Sequence, residues 1–337
     1  MNPILSIQAL GFPWKTEDPF LFCVYHLDAY PEGNGQMGPN ASLKGRELGM
    51  DFDSRNAWRM YHGQEIPGFP SHPHRGFETI TITRRGYIDH ADSLGATARF
   101  GQGDTQWMTA GRGIVHSEMF PLRDRDAPNP LELFQIWLNL PAASKMVEPH
   151  FTMLWDTKIP TCCVQDADGR TSELRIVAGQ FGSAIAPPPP PNSWAARPES
   201  DLAIWTLKLA PHARLELPAA QLGTRRTLYF FRGANLRIGG EILNSHAAVE
   251  VRAEVLLELE NGSEGSELLL LQGRPIGEPV AQHGPFVMNT QAEIREAFSD
   301  YQRTQFGGWP WKSLAPVHPR EQARFAKHAD GKLEEPS

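Results

Sequence analysis

The chain has 337 residues, 40% hydrophobic and 21% charged, which excludes a disordered polymer and allows one large or two medium domains with proper cores. Its formal charge of −7 excludes a general nucleic-acid binder, because phosphate neutralisation needs a basic surface. Three cysteines, Cys23 alone and Cys162 beside Cys163, make no disulfide framework and fit free thiols in a reducing cytosol.

The first residues, "MNPILSIQALGFPWK", show no basic leader with an apolar core and a small-residue cleavage site. No apolar run approaches the ~20 residues needed to cross a bilayer. A soluble cytoplasmic protein without membrane contact is the expectation. Further along, "FETITITRRGYIDH", "LELFQIWLNLP", "LAIWTLKLAP", "RRTLYFFRG", "NLRIGGEIL", "EVLLELENG" and "ELLLLQG" alternate or run apolar between turn residues. Strands spaced this way predict an all-β barrel or sandwich. The stretch "APPPPPN" (186–192) is stiff and predicts an exposed loop or spacer. Near the end, residues 289–306 predict a helix with Asn or Thr as N-cap and Ile294, Ala297, Phe298 and Tyr301 on its apolar face. Residues 319–331 predict a second one, opened after a proline and stopped near a glycine.

The two halves resemble each other weakly. Aligning "TITITRRGYI" (79–88) with "TLYFFRGANL" (227–236) sets Gly86 against Gly233, as in two copies of one barrel. On that alignment His72 and His74 of the first half meet Ala219 and Gln221 of the second, so any site belongs to the N-terminal half.

"HPHRGFETIT" (72–81) places His72 and His74 two residues apart, on one side of a strand. Pro73 between them cannot donate a ladder hydrogen bond, which predicts an edge or a bulge. "GDTQWMTAGRGIVHSEM" (103–119) repeats the spacing with His116 and Glu118 after a Gly111–Gly113 turn. Three imidazoles and one carboxylate on neighbouring strands form a divalent-metal set that leaves coordination positions open. Fe(II) fits that mixed set, with Mn, Ni, Co, Cu and Zn also compatible. Spacing alone leaves open whether these residues hold metal or are polar residues at a strand entrance.

"GFPSHPHRGFETIT", "GDTQWMTAGRGIVHSEM" and "GPFVMNTQAEIREAFSDYQ" together resemble the pirin family of the cupin superfamily, over nearly the whole chain from about Asp18 to Phe306. The resemblance implies a bicupin: two stacked antiparallel β-barrels of jelly-roll type with a short C-terminal helical segment. The implied divisions are a metal-bearing barrel over 1–150, a barrel without ligands over 151–288, and a helical segment with an extension over 289–337. It implies one metal ion, usually iron, held by His72, His74, His116 and Glu118. It also implies a dioxygenase resembling quercetin 2,3-dioxygenase, acting on a small aromatic or enolic substrate with dioxygen, with Glu118 as ligand or momentary base. A second implied role is a metal- or redox-sensing interaction protein whose partner is a transcription factor.

Glu78 stands where many cupins place a carboxylate ligand, but the pirin pattern uses Glu118, which leaves Glu78 a supporting role. His90, in "IDHADS", falls in what the resemblance makes a family-typical loop, where a turn-stabilising hydrogen bond is favoured over a catalytic part. Trp107, Met108 and Phe77 are expected to pack the barrel. Two departures from the family pattern stand out. The connection 31–68 is unusually long for a structureless segment and leads into the ligand strand, so it can shape the pocket entrance. The extension after Phe306 carries Trp309 and Trp311, which suggests docking onto the body or a neighbour.

Overall fold

The computed structural model describes residues 2–336. The chain divides into two units, each assembled from several stretches. One takes residues up to Val24, Ile136–Pro141 and Thr157–Gly277; the other takes Tyr25–Gln135, Ala142–Asp156 and everything from Glu278 onward. The divisions expected at 150 and 288 were drawn as continuous stretches.

The unit that contains the histidines is built on two sheets. One runs in the order His150–Leu154, Thr105–Thr109, Phe77–Arg85, Asn129–Asn139, Phe20–Tyr30. The other runs Leu333–Glu334, Phe325–Lys327, Thr97–Gly101, Tyr87–Asp92, Ile114–Met119, Gly68–His74. Apolar side chains of both sheets, among them Ile88, Phe100, Met108, Ile114, Leu133 and Phe151, form one buried core. In the second unit a seven-stranded sheet faces the four strands Arg214–Leu217, Leu257–Glu260, Leu236–Ile238 and Glu241–Leu243. Trp205, Leu228, Phe230 and Leu270 from the large sheet meet Leu215, Leu236, Leu257 and Leu259 from the small one. Each unit is a double-sheet jelly roll of cupin type. The hydrogen-bond ladders do not close into full barrels, because the facing sheets keep separate edges.

Both RG steps turn as the alignment requires: Gly86 at φ 82° and Gly233 at φ 102° sit in the left-handed region that favours glycine, each directly after a long strand. Upstream of them the sequence offset misleads. Ala219 and Gln221 lie in the connection between Arg214–Leu217 and Arg225–Arg232, not on a strand. That connection is longer than the Arg75–Gly76 step which joins Gly68–His74 to Phe77–Arg85. Pairing gives the better equivalence. His72 lies opposite His116 in the first unit, whereas Leu215 lies opposite Leu259 and Leu217 opposite Leu257 in the second. All four leucines are fully or almost fully buried, so apolar packing fills the place of the imidazoles.

Helix Gln291–Thr304 forms with Thr290 as N-cap; its hydroxyl accepts from the Glu293 amide and Glu293 returns the bond, a complete capping box. Ile294 and Ala297 are buried, and Phe298 and Tyr301 pack against the same cluster. The second helix does not form. Residues 319–324 give their carbonyls away: the Arg99 guanidinium takes those of Pro319 and Gln322, which a helix would have used internally. Phe325–Lys327 then adds as a strand to the edge of Thr97–Gly101. The polyproline stretch is irregular and mixed in exposure, with Pro190 buried, and lies inside the second unit. Cys23 is buried, and Cys162 and Cys163 are free thiols on strand Thr161–Gln165. Among the described residues no helix is long and apolar enough to cross a membrane.

Candidate metal centre

Strand Gly68–His74 is an edge strand of its sheet, and its register with Ile114–Met119 shifts between Phe69 and His72. Pro73 is therefore tolerated, and the irregularity re-aims the residues beside it. Directly opposed residues of an antiparallel pair project to one side, so His72 and His116 share a face, and the two-residue period adds His74. The ring centroids are 4.8 Å apart for His72–His74, 4.4 Å for His72–His116 and 4.9 Å for His74–His116. One ligand atom from each of the three lies within 4.8 Å of the others.

Glu118 is adjacent but outside that set. Its Oε2 is 4.0 Å from His116 Nε2, beyond hydrogen-bond reach. Thr81 donates its hydroxyl to Oε1 at 3.0 Å, and Gln135 donates its amide to Oε2 at 3.0 Å. These bonds fix the carboxylate although only 4% of the residue is exposed.

Burial sets the charge states. It lowers His72 to about 4, and it carries His74 and His116 well below the usual imidazole range, with repulsion from neighbouring imidazoles adding to both. All three rings are neutral at pH 7, the form that can ligate. His72 Nδ1–H donates to the Pro70 carbonyl at 2.9 Å, which leaves Nε2 with a free lone pair. Both ring nitrogens of His116 are buried without a hydrogen-bond partner among the described residues. An unsatisfied buried donor–acceptor pair costs stability unless something binds it. Burial raises Glu118, against the hydrogen bonds and His90 that lower it.

The weaker candidates find definite places. Glu78 accepts from the Thr109 hydroxyl at 2.6 Å on the neighbouring strand and stays outside the histidine set. Phe77, Trp107 and Met108 are fully buried, and the Phe77 ring lies 5.1 Å from that of His74. His90 is not in a loop. It sits within strand Tyr87–Asp92 opposite Glu118, fully buried, with its ring 5.5 Å from that of His116. Its Nε2 is 3.2 Å from Asp92 Oδ2, and it is Asp92 that serves the turn, accepting from the amides of Leu94 and Ala96. The alternation in "YIDHAD" carried that signal, since His90 and Asp92 have the same spacing as His72 and His74. Thr81 and Gln135 had no such signal.

The long connection 31–68 is ordered by pairing rather than by regular structure. Asp51 bridges to Tyr61, and its carboxylate accepts from Arg46 at 2.6 Å and from the Met60 amide at 2.9 Å. Tyr61 stacks on Phe69 at 5.2 Å, and Phe69 in turn faces the His72 ring at 6.3 Å. Beneath this layer the Tyr61 hydroxyl donates to Asp28 at 2.7 Å and meets His26 Nδ1 at 2.8 Å, and Asp28 pairs with Arg59. The extension docks on the body of the same unit. Ser71, next to His72, donates its amide to the Leu314 carbonyl at 2.7 Å, and the Trp311 indole donates to the Asp92 carbonyl at 2.8 Å.

Comparison with known proteins agrees with this architecture. The pirin profile matches residues 40–138, and the profile of the pirin C-terminal cupin domain matches residues 204–307. A Pseudomonas aeruginosa protein provisionally named quercetin 2,3-dioxygenase is 39% identical over 246 residues, covering 72% of this chain and 80% of its own. Pirin-1 of Arabidopsis thaliana is 37% identical over 242 residues, covering 71% and 78% respectively. Among solved structures, a quercetin 2,3-dioxygenase from Acinetobacter baumannii superposes with a TM-score of 0.71 at 28% identity, covering 91% of this chain and 99% of that one. With both cupin halves matched and relatives of this identity aligned over most of their length, the chain belongs to the pirin family.

Proposed function

We propose that this chain is a metal-dependent dioxygenase that opens an enolic aromatic substrate, a flavonol such as quercetin being the test compound. Fe(II) is the proposed ion, held by His72, His74, His116 and Glu118. The observation that carries the reading is the convergence of three neutral imidazoles within 4.8 Å, one of them with both nitrogens buried and unbonded. The names borne by relatives aligned over most of their length support the same chemistry.

A bound divalent ion would supply Lewis acidity toward a substrate hydroxyl and leave positions for exogenous ligands. The protein supplies the rest. Glu118 is the group placed to take the hydroxyl proton, and Thr81 and Gln135 hold its oxygens in position for that transfer. Phe77, against His74, and Phe69, against His72, present aromatic rings beside the cluster and keep it dry. His72 is half-buried while His74, His116 and Glu118 are buried, so approach from outside is at His72.

Elemental analysis combined with oxygen uptake tests this. Iron-loaded protein should consume dioxygen with quercetin, and Glu118→Gln should hold its metal more weakly, on the three imidazoles, while losing most of the uptake even when fully loaded. Stoichiometric iron with no uptake on any flavonol would end the dioxygenase reading and favour the sensing role.

A further inference from the structure

A cleft of about 700 Å³ in the unit that carries the histidine cluster does not include any of the candidate ligands. Four arginines line it: Arg85, Arg123, Arg125 and Arg320. Only two carboxylates accompany them, Asp124 and Asp126, and one oxygen of Asp124 is turned inward to accept the amides of Asp126 and Ala127. In a chain whose net charge is −7, this is a strong local inversion of sign.

Of the four guanidiniums, one serves the fold and the other three keep donors to spare. Arg320 is a structural brace, donating to the carbonyls of Leu122, Arg123 and Asn34. Arg123 donates through Nε to the Arg320 carbonyl and lies 4.5 Å above the Tyr87 ring, and its terminal nitrogens have no hydrogen-bond partner among the described residues. Arg85 and Arg125 are exposed and take part in no side-chain hydrogen bond or ion pair among the described residues. Burial first, then the neighbouring Arg125, holds Arg320 below its ordinary range, with Glu321 acting in the opposite direction. The floor is apolar and firm, formed by Tyr30, Phe120, Leu122 and Leu131, all buried. The rim is stiff as well: Asn129 ties it by bonding to the carbonyls of Pro31, Asp124 and Ala127.

We infer that this cleft, bounded by the 120–131 segment and braced by the C-terminal extension through Arg320, binds a small organic anion carrying phosphate or carboxylate groups. The volume falls within the range of small-molecule sites, and arginine forks match the planar oxygen pairs of either group. Confinement of the charge to a concavity, on an acidic protein, argues for a small ligand over a nucleic acid. The site does not depend on the dioxygenase reading, because it shares no residue with the histidine cluster.

Titration calorimetry on the full chain tests it, with inorganic phosphate and succinate as separate probes. About 150 mM salt is used, where screening beyond ~8 Å suppresses diffuse attraction. At least one probe should bind saturably at one site per chain, and the arm that binds identifies the group recognised. Arg85→Ala with Arg125→Ala should weaken that binding at least tenfold. Neither side chain supports the fold, and each single replacement serves should the pair prove unstable. Absence of saturable binding in both arms, or variants that bind like the parent, would overturn the inference.

Discussion

Replacing His116 with alanine removes the imidazole that faces both other histidines, with rings 4.4 and 4.9 Å away. In the metal-free protein two effects oppose each other. Emptying a buried site of this size costs about 2–5 kcal/mol. Removing a ring whose two nitrogens are both buried without partners returns about 1–3 kcal/mol of desolvation penalty. The net change is at most a few kcal/mol, and the fold should survive it. The second unit already holds together with Leu215, Leu217, Leu257 and Leu259 in the corresponding strands. Metal binding is where parent and variant separate. An ion at a hundredfold excess over its dissociation constant stabilises the native state by about 2.7 kcal/mol. At roughly 2–4 °C per kcal/mol for a unit of this size, the melting temperature should rise by about 5–11 °C. Anaerobic melting with and without Fe(II), paired with elemental analysis, should show that rise in the parent and none in His116→Ala. A variant that retained one ion per chain and the full shift would refute the assignment of His116.

Other expectations follow from particular contacts. Arg99 is fully buried, forms a bidentate ion pair with Asp89 at 2.6 and 2.7 Å, and also donates to four carbonyls of the extension, those of His318, Pro319, Arg320 and Gln322, so Arg99→Ala should cost about 3–5 kcal/mol in urea unfolding. The same change should expose residues 307–324 to protease, and a loss below about 1 kcal/mol would show the pair to be dispensable. Burial first, then Arg59, lowers His26 to about 3 from an ordinary 6.5, so the unfolded chain binds the extra proton between those values. Its contribution is complete above pH 6.5 and shrinks as pH falls toward 3. Between pH 6.5 and 5 this amounts to about 2 kcal/mol, and His26→Gln should flatten the slope of stability against pH in that interval. Gly113 has φ 133°, and an added Cβ would fall 2.6 Å from the Phe306 ring, so Gly113→Ala should destabilise by about 1–3 kcal/mol and loosen the C-terminal helix. Hydrogen exchange over 291–306 reads that loosening directly, and unchanged protection there would count against it.

Legibility differed sharply between parts of the molecule. His72 and His74, like His116 and Glu118, share a face because a pleated strand repeats every two residues, and that period is written locally. The same rule applied to "YIDHAD" places His90 and Asp92 on a common face, whereas the family pattern points to a loop there. The capping box at Thr290 and Glu293 was equally local, and that helix formed within two residues of its expected start. The stretch 319–331 has comparable helical character yet became an irregular strap and a strand. Its carbonyls are claimed by an arginine more than two hundred residues away in sequence. Propensity is a weak preference, and a buried cation with donors to satisfy overrides it.

The sequence by itself determined the repeated all-β architecture, the confinement of the histidines to one half, and the parity that groups them. Each of these depends on periods of a few residues or on motifs read in place. The tertiary structure decided what parity cannot: that His72 lies opposite His116, that Glu118 stands beside the imidazole set under the hold of Thr81 and Gln135, and that His90 and Asp92 join the same sheet. It also decided that leucines occupy the equivalent strands of the other unit, whereas a count of residues back from Gly233 led to a loop. The physical reason is that register and cross-strand partnership are set by loop lengths and by the packing of distant segments, neither of which leaves a periodic trace in the chain.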